Sequence, residues 1–103
     1  MNAPPAGRVI RFGFLRLHDD ASARRETLAR ELLRELRELC APHAVWAGIP
    51  GDDSAARWDL AFTITLPDLA AWQQLASSEP LRAALARLEA QAAVSKAWTF
   101  SQP

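Results

Sequence analysis

One stretch of the chain combines a strand pattern with the start of a helix: residues 58–80 read WDLAFTITLPDLAAWQQLASSEP. Apolar side chains occupy every second position from Trp58 to Leu66, an alternation typical of a strand with one buried face. Pro67 and Asp68 then open a helix whose apolar residues are Leu69, Trp72 and Leu75. The stretch therefore predicts a strand that runs directly into a helix.

The residues before this stretch predict another strand and another helix. The strand covers Arg8 to Leu17 and is apolar on both faces, with Ile10, Phe12 and Phe14 on one side and Val9, Leu15 and Leu17 on the other. This pattern is expected of a strand that is covered on two faces. The helix follows with Ser22 as its N-cap, Pro42 at its end and a stripe at Leu28, Leu32, Leu36 and Leu39.

Two weaker strands complete the predicted set of elements. His43–Ile49 is one of them, and the loop Pro50–Ser54 joins it to the next strand as a hairpin. The second helix is interrupted near Ser77–Pro80 and resumes with Leu81, Leu85 and Leu88. Residues Val94 to Phe100 form the last strand.

The predicted order is β-α-β-β-α-β, which is an α+β, ferredoxin-like arrangement of a four-stranded antiparallel sheet with its helices on one face. The helix-free face is then expected to carry aromatic residues: Phe12, Phe14, Trp46 and Trp98. Each is worth on the order of 2 kcal/mol or more when it is buried. We therefore expect two copies to pack these faces together as a homodimer.

Length and charge limit the functions that the chain can have. It has 103 residues and 50% hydrophobic composition, which predicts one domain, residues 8–103, after a disordered tail at residues 1–7. Twelve basic and twelve acidic side chains cancel, so a nucleic acid partner is not expected. The single cysteine, the two prolines near the N-terminus and the lack of a long apolar run indicate a cytoplasmic protein with no membrane partner.

The chain resembles the dimeric α/β-barrel superfamily, specifically the stress-responsive A/B barrel domain family. The resemblance covers roughly Val9 to Phe100. It rests on the first strand VIRFGFLRL, on WDLAF leading through LPDL, and on Glu79-Pro80 before the last helical segment. It implies a homodimeric barrel.

The resemblance also implies a ligand pocket between the sheet and the helices. Polyketide cyclases of this family place catalytic histidine and tyrosine residues at positions that hold Arg11, Leu75 and Arg82 here, with Glu79 in place of a further histidine. The chain has no tyrosine, so that mechanism is not expected. Arginine instead suits an anionic oxygen.

The predicted ligand-binding residues are therefore Arg11, Arg82, Trp72, Trp58 and Leu75. The simpler interpretation is that Arg11 pairs with Asp59 or Glu79 and that Arg82 is solvated on its helix. No cofactor and no metal are expected, because His18, Asp19 and Asp20 have no second cluster, and His43 stands alone. Cys40 is interpreted as a small buried hydrophobe.

Two functions remain open at this point. The first is a small homodimeric protein that binds a small, anionic or aromatic ligand between sheet and helices. The second is a cofactor-independent enzyme, a polyketide-cyclase-like lyase or a monooxygenase, that uses the same pocket.

Overall fold

The computed structural model describes residues 7–103, which contain the predicted order of strands and helices. A short 3₁₀ turn, Asp53–Ala55, lies in the loop between the second and third strands. The elements are β1 (Val9–Leu17), α1 (Asp19–Ser22), α2 (Arg25–Leu39), β2 (Ala44–Gly48), β3 (Leu60–Leu66), α3 (Leu69–Ala76), α4 (Glu79–Glu89) and β4 (Ala92–Ser101).

The strands form one antiparallel sheet in the order β2-β3-β1-β4. β1 is central, and it pairs with β3 on one side and with β4 on the other. This order places β3 between β1 and β2, which is the split βαβ arrangement of the ferredoxin-like fold. The predicted fold is confirmed.

The core lies on the face of the sheet that the helices cover. Every second side chain of β3 is buried there, and the apolar stripe of α2 packs on the same face. The alternation that the sequence shows is therefore the alternation between core and open face. The largest fully buried side chains are Val9, Leu15, Leu36, Cys40, Leu60, Ile64, Leu66 and Leu81.

The opposite face of the sheet, called the open face here, is covered by no helix among residues 7–103. Phe12 packs edge-on against Phe100 with ring centroids 5.6 Å apart, and Phe14 contacts Trp98 at 5.7 Å. Trp46, Trp98 and Phe100 are 52%, 47% and 61% exposed. The predicted aromatic face is confirmed.

The helix α3 starts where the sequence predicts, whereas the predicted N-cap of α2 is wrong. Asp68 is the N-cap of α3, and its side chain accepts a hydrogen bond from the Ala71 backbone N–H at 2.8 Å. The break between α3 and α4 at residues 77 and 78 is also as predicted. Ser22 is not the N-cap of α2, because it ends α1 and its hydroxyl donates to Asp59 Oδ1 at 2.8 Å.

The predicted N-terminal tail falls mostly outside the described residues, since residues 1–6 are not among them. The backbone N–H of Gly7 donates to the Gln102 carbonyl at 3.0 Å. Within residues 7–103, no helix has the length and apolar character required to cross a bilayer.

Candidate functional site

A small cavity lies between the sheet and the helices α3 and α4. Its volume is about 50 Å³. The sheet contributes the central part of β1 and the facing part of β4, and the helices contribute Trp72 and the C-terminal end of α4. The residues that line it include Arg11, Gly13, Phe62, Trp72, Leu85, Leu88, Glu89 and Ser95.

Three charged residues line this cavity, Arg11 and Lys96 from the sheet and Glu89 from α4, and Arg11 is the one on the central strand. It lies on β1 between Val9 and Gly13 on the helix-covered face, and it is half-buried. Its guanidinium carbon lies 5.0 Å from the centre of the Trp72 ring. Because an indole face attracts a cation, this contact stabilises the guanidinium beside α3.

The second contact of Arg11 is with the neighbouring strand β4. Its Nη1 donates a hydrogen bond to Thr99 Oγ1 at 2.9 Å. Arg11 and Thr99 are register partners on β1 and β4, so both side chains project from the same face. One donor of the guanidinium fork is thus used, and a guanidinium has five.

Partial burial changes the pKa of the Arg11 side chain. Desolvation lowers the pKa of the Arg11 guanidinium, and the nearby negative charge of Glu89 opposes that effect. The side chain stays a cation at neutral pH, since the ordinary arginine pKa lies above about 12. The cavity therefore carries a partly desolvated positive charge.

The predicted pairing of Arg11 with Asp59 or Glu79 is wrong. Among residues 7–103, the ion pairs within 4.0 Å are Arg25–Asp59, Arg30–Glu26 and Arg87–Glu35. Asp59 instead accepts from the backbone N–H of Leu17 at 2.8 Å and from Ser22 and Arg25. Strand β3 begins only at Leu60, so Asp59 turns toward the end of β1 and the start of α2.

The absence of a side chain at Gly13 lets the Phe62 ring lie directly on β1 at the bottom of the cavity. It is the register partner of Phe62, whose ring lies across the β1 backbone where a side chain at Gly13 would stand. A Cβ atom there would overlap Cε1 and Cζ of that ring. A residue without a side chain is therefore required for this close approach.

The other predicted ligand-binding residues lie elsewhere. Arg82 is exposed on α4, as the simpler interpretation expected, and it does not line the cavity. Leu75 is half-buried and packs against the core. Trp58 lies on the open face, where its ring contacts Phe14 at 5.6 Å. The structure thus brings together Arg11 and Trp72 of the predicted set.

Sequence reasoning missed Thr99, which accepts a hydrogen bond from Arg11, and the other polar residues of the lining, Glu89, Ser95 and Lys96. Thr99 was hidden because only the β1–β4 register shows that it opposes Arg11. Glu89 is the last residue of α4, and its position depends on how far that helix continues. The signal that could have found Thr99 is the polar alternation Ser95, Thr99 and Ser101 on one face of β4.

The residues considered for metal and thiol chemistry do not converge. Among residues 7–103, no group of three or more His, Cys, Asp or Glu side chains could hold a metal ion. Cys40 is fully buried against α2 and the sheet, and burial raises the pKa of its thiol to about 11. The thiol is therefore protonated at neutral pH, as expected of a buried hydrophobe.

Solved structures with the same fold are found across most of the chain. A hydroxynitrile lyase from Passiflora edulis superposes with a TM-score of 0.75 at 13% identity, covering 96% of each chain. A dimeric ferredoxin-like protein of unknown function from Thermobifida fusca gives 0.70 at 21% identity over 92% of each chain. SnoaB, a cofactor-independent oxygenase from Streptomyces nogalater, gives 0.66 at 13% identity over 92% of each chain.

Comparison of the sequence alone gives no match. No protein-family model matches the chain, and no curated protein sequence matches it significantly. The three structural neighbours are all less than 25% identical to it. What the chain shares with them is the ferredoxin-like fold.

Proposed function

We propose that this protein binds a small anion in the cavity between the sheet and the helices, with Arg11 as the residue that holds the ligand. The observation that carries this proposal is the position of the Arg11 guanidinium. It lies half-buried on the helix-covered face of the sheet, with no carboxylate of residues 7–103 within 4.0 Å. A partly desolvated cation gains most from a partner that brings a negative charge and hydrogen-bond acceptors.

The contacts of Arg11 favour a planar oxyanion. The Trp72 ring centre lies 5.0 Å from the guanidinium carbon, and Thr99 accepts a hydrogen bond from one of the guanidinium N–H groups. The other edge of the fork is left to the cavity. A carboxylate or nitrate accepts two parallel N–H bonds from such an edge, which a lysine ammonium does not offer.

The volume of the cavity limits the ligand. At about 50 Å³ it is far smaller than the several hundred cubic ångströms typical of sites for drug-sized molecules. It has room for a few non-hydrogen atoms, such as formate, acetate or nitrate. A larger ligand would place only its acidic end there.

The test is a titration of the ¹⁵N-labelled protein with sodium acetate at constant ionic strength, followed by NMR. Backbone amide shifts are expected around Gly13 and Trp72, since both residues line the cavity. In Arg11→Met the affinity should fall roughly tenfold or more, because a hydrogen-bonded charge pair is worth about 1.5–3 kcal/mol. Arg11→Lys keeps the charge without the fork and should be intermediate.

Arg37→Met, on the exposed side of α2, removes the same charge away from the cavity and should bind as the wild type does. Arg82→Met tests a residue that the family resemblance predicts to bind the ligand but that does not line the cavity. Binding that is lost in Arg82→Met and kept in Arg11→Met would contradict the proposal. Binding that is unchanged in Arg11→Met would also contradict it.

We further propose that the protein is a homodimeric A/B barrel of the stress-responsive type. The open face supports this assembly, because Trp46, Trp98 and Phe100 are each about half exposed on it. The Thermobifida fusca neighbour is itself described as dimeric. The mass in solution, measured by light scattering, tests the proposal.

A second candidate function is a cofactor-independent lyase or oxygenase in the same cavity. Two of the structural neighbours are a hydroxynitrile lyase and a cofactor-independent oxygenase. Glu89 adds a carboxylate to the cavity lining, which is a group able to accept a proton, while Arg11 steadies a negative oxygen. Turnover of hydroxynitriles or β-keto acids that is lost in Glu89→Gln would favour the enzyme over the binding protein.

A further inference from the structure

The open face has a basic end, distinct from its aromatic centre. Arg16, Arg57 and Lys96 line one groove there together with Trp58 and Val94. The groove has a volume of about 390 Å³. All three cationic side chains are exposed. We call this feature the basic groove.

Strand pairing explains why these cations meet. Lys96 is the register partner of Phe14, and Val94 is the register partner of Arg16. Arg16 and Lys96 are therefore diagonal neighbours on the same face of the sheet, about 7–8 Å apart in Cα position. Arg57 reaches the groove from the loop before β3, one residue ahead of Trp58.

No acidic side chain of residues 7–103 lies within 4.0 Å of any of the three cations. The ion pairs of the described residues lie elsewhere, and they involve Arg25, Arg30 and Arg87. Like charges in one groove repel one another, and an anion bound between them relieves that repulsion. The groove therefore favours a negatively charged ligand.

Trp58 adds a flat apolar wall to the groove. Its ring packs against Phe14 with centroids 5.6 Å apart, which holds it in place, and it is half-buried. A fixed indole beside cations suits a ligand that has both an aromatic ring and an acidic group. The groove volume lies in the range typical of small-molecule sites, roughly 300–1,000 Å³.

We propose that the basic groove binds a small aromatic carboxylate, with its ring against Trp58 and its carboxylate between Arg16 and Arg57. This site is distinct from the cavity of Arg11, although Lys96 of the edge strand β4 lines both. It lies on the opposite face of the sheet and does not depend on the proposed anion site. A bicyclic ring fits the groove, whereas the cavity of about 50 Å³ cannot admit it.

The groove also bears on the proposed dimer. Covering three cations with a second copy of the sheet and no counter-charge would carry a large desolvation cost. In the proposed dimer the basic groove would therefore lie at the margin of the covered surface and stay open to ligand. The partner would cover the aromatic centre of the face.

The experiment is a titration of the full-length protein with 2-naphthoate at constant ionic strength, followed by calorimetry and by ¹H–¹⁵N NMR. Amide shifts are expected around Arg16, Trp58 and Val94. The double variant R16Q/R57Q should weaken binding by about tenfold or more, since two charged contacts to the carboxylate are lost. Both side chains are exposed, so the fold should be retained, which the NMR spectrum checks.

Matched variants make the result specific. R34Q/R37Q removes the same charge from the exposed side of α2 and should leave naphthoate affinity unchanged. R11M should also leave it unchanged, so failure of this proposal and failure of the cavity proposal are distinguishable. Trp58→Leu should weaken naphthoate binding without changing the binding of inorganic sulfate.

Three results would overturn the proposal. One is the absence of naphthoate binding to the wild-type protein. Another is equal affinity in R16Q/R57Q and wild type. The third is equal binding of the neutral analogue 2-naphthamide, which would show that the groove does not recognise the charge.

Discussion

Gly13 shows how one small residue sets the shape of the cavity. The ring of Phe62 crosses β1 at this position, and Phe62 itself is 6% exposed, so the ring has little freedom to move away. Interiors are packed densely enough that an added methyl group displaces its neighbours. Arg11 lies two residues earlier on the same face of β1, where its guanidinium contacts Trp72.

At this scale we predict that Gly13→Ala destabilises the protein by about 1–3 kcal/mol, which is typical of overpacking in a core. The physical cause is the overlap of the new Cβ with the Phe62 ring. Urea unfolding followed by circular dichroism measures the effect. Gly51→Ala is the control, because no described atom lies within 4 Å of a Cβ at Gly51. Equal stability of the two variants would contradict the prediction.

Arg11 was identified from the family resemblance, and a charge within an apolar strand also marks it in the sequence pattern itself. Trp72 was identified because the resemblance implies aromatic residues in a pocket between the sheet and the helices. Arg82 and Leu75 came from the family resemblance, and the actual phase of α3 and α4 directs neither of them into the cavity. Trp58 was assigned to the wrong face, because the alternation was extended past the true start of β3 at Leu60.

Asp59 joins three elements at one end of the sheet. It accepts hydrogen bonds from the Leu17 backbone N–H at the end of β1, from Ser22 in α1 and from Arg25 at the start of α2. Desolvation raises the pKa of Asp59, but these hydrogen bonds together outweigh it and lower the pKa below the ordinary value of an aspartate. The ionised carboxylate is thus the form that holds the elements together.

At the scale of the element, Asp59→Asn should lower the free energy of unfolding at pH 7 by about 1.5–3 kcal/mol, because hydrogen bonds to a charged acceptor are lost. A folded-state pKa below the unfolded value means that the contribution is complete above about pH 4 and disappears as the pH falls through the folded pKa. Wild type and variant should therefore converge in stability toward pH 2. Unfolding curves across pH 2–7 measure this.

Asp53→Asn, in the exposed loop after β2, serves as the matched variant and should lose little stability at any pH. A constant difference between wild type and Asp59→Asn from pH 7 to pH 2 would show that the ionised form is not what matters.

Elements were predicted where apolar periodicity and a capping residue agreed. β3, α3 and the break before α4 fall in that class. The first helix was predicted to begin after Ser22, but the short helix α1 already covers Asp19–Ser22, and α2 begins at Arg25. The sequence near Ser22 does not show that its hydroxyl donates a hydrogen bond to Asp59, which is distant in sequence.

For the whole molecule, the two faces of the sheet differ in what covers them and in composition. The helices cover one face, and the open face presents Phe12, Phe14, Trp98 and Phe100 in mutual contact. Such a contiguous aromatic surface is more typical of an interface than of a monomer surface. The β-α-β-β-α-β order and the apolar character of both β1 faces were enough to predict this arrangement from the sequence. The location of the basic groove required the strand register.

We predict that the wild-type protein has twice the chain mass of 11.3 kDa at micromolar concentration, and that Trp98→Glu is a monomer. A carboxylate in the centre of the covered face would be desolvated without a partner, which costs several kcal/mol. Light scattering coupled to size exclusion measures the masses, and circular dichroism verifies the fold.

Leu69→Glu is the comparison for this variant. Leu69 is 49% exposed, close to the 47% of Trp98, but it lies on α3 away from the open face. It should leave the mass at that of the dimer. A wild-type monomer, or a Trp98→Glu dimer, would argue against the assembly.

The distribution of the indole rings has an optical consequence. Trp46, Trp58 and Trp98 lie on the open face, whereas Trp72 lies beside Arg11 on the other side of the sheet. Since the chain has no tyrosine, its near-ultraviolet emission comes almost entirely from these four rings. The tryptophan emission of the intact protein therefore reports mainly on the open face, and in particular on whether that face is shielded from water. A variant in which Trp72 is the only tryptophan would instead report on the surroundings of the Arg11 guanidinium, whose carbon lies 5.0 Å from the Trp72 ring centre.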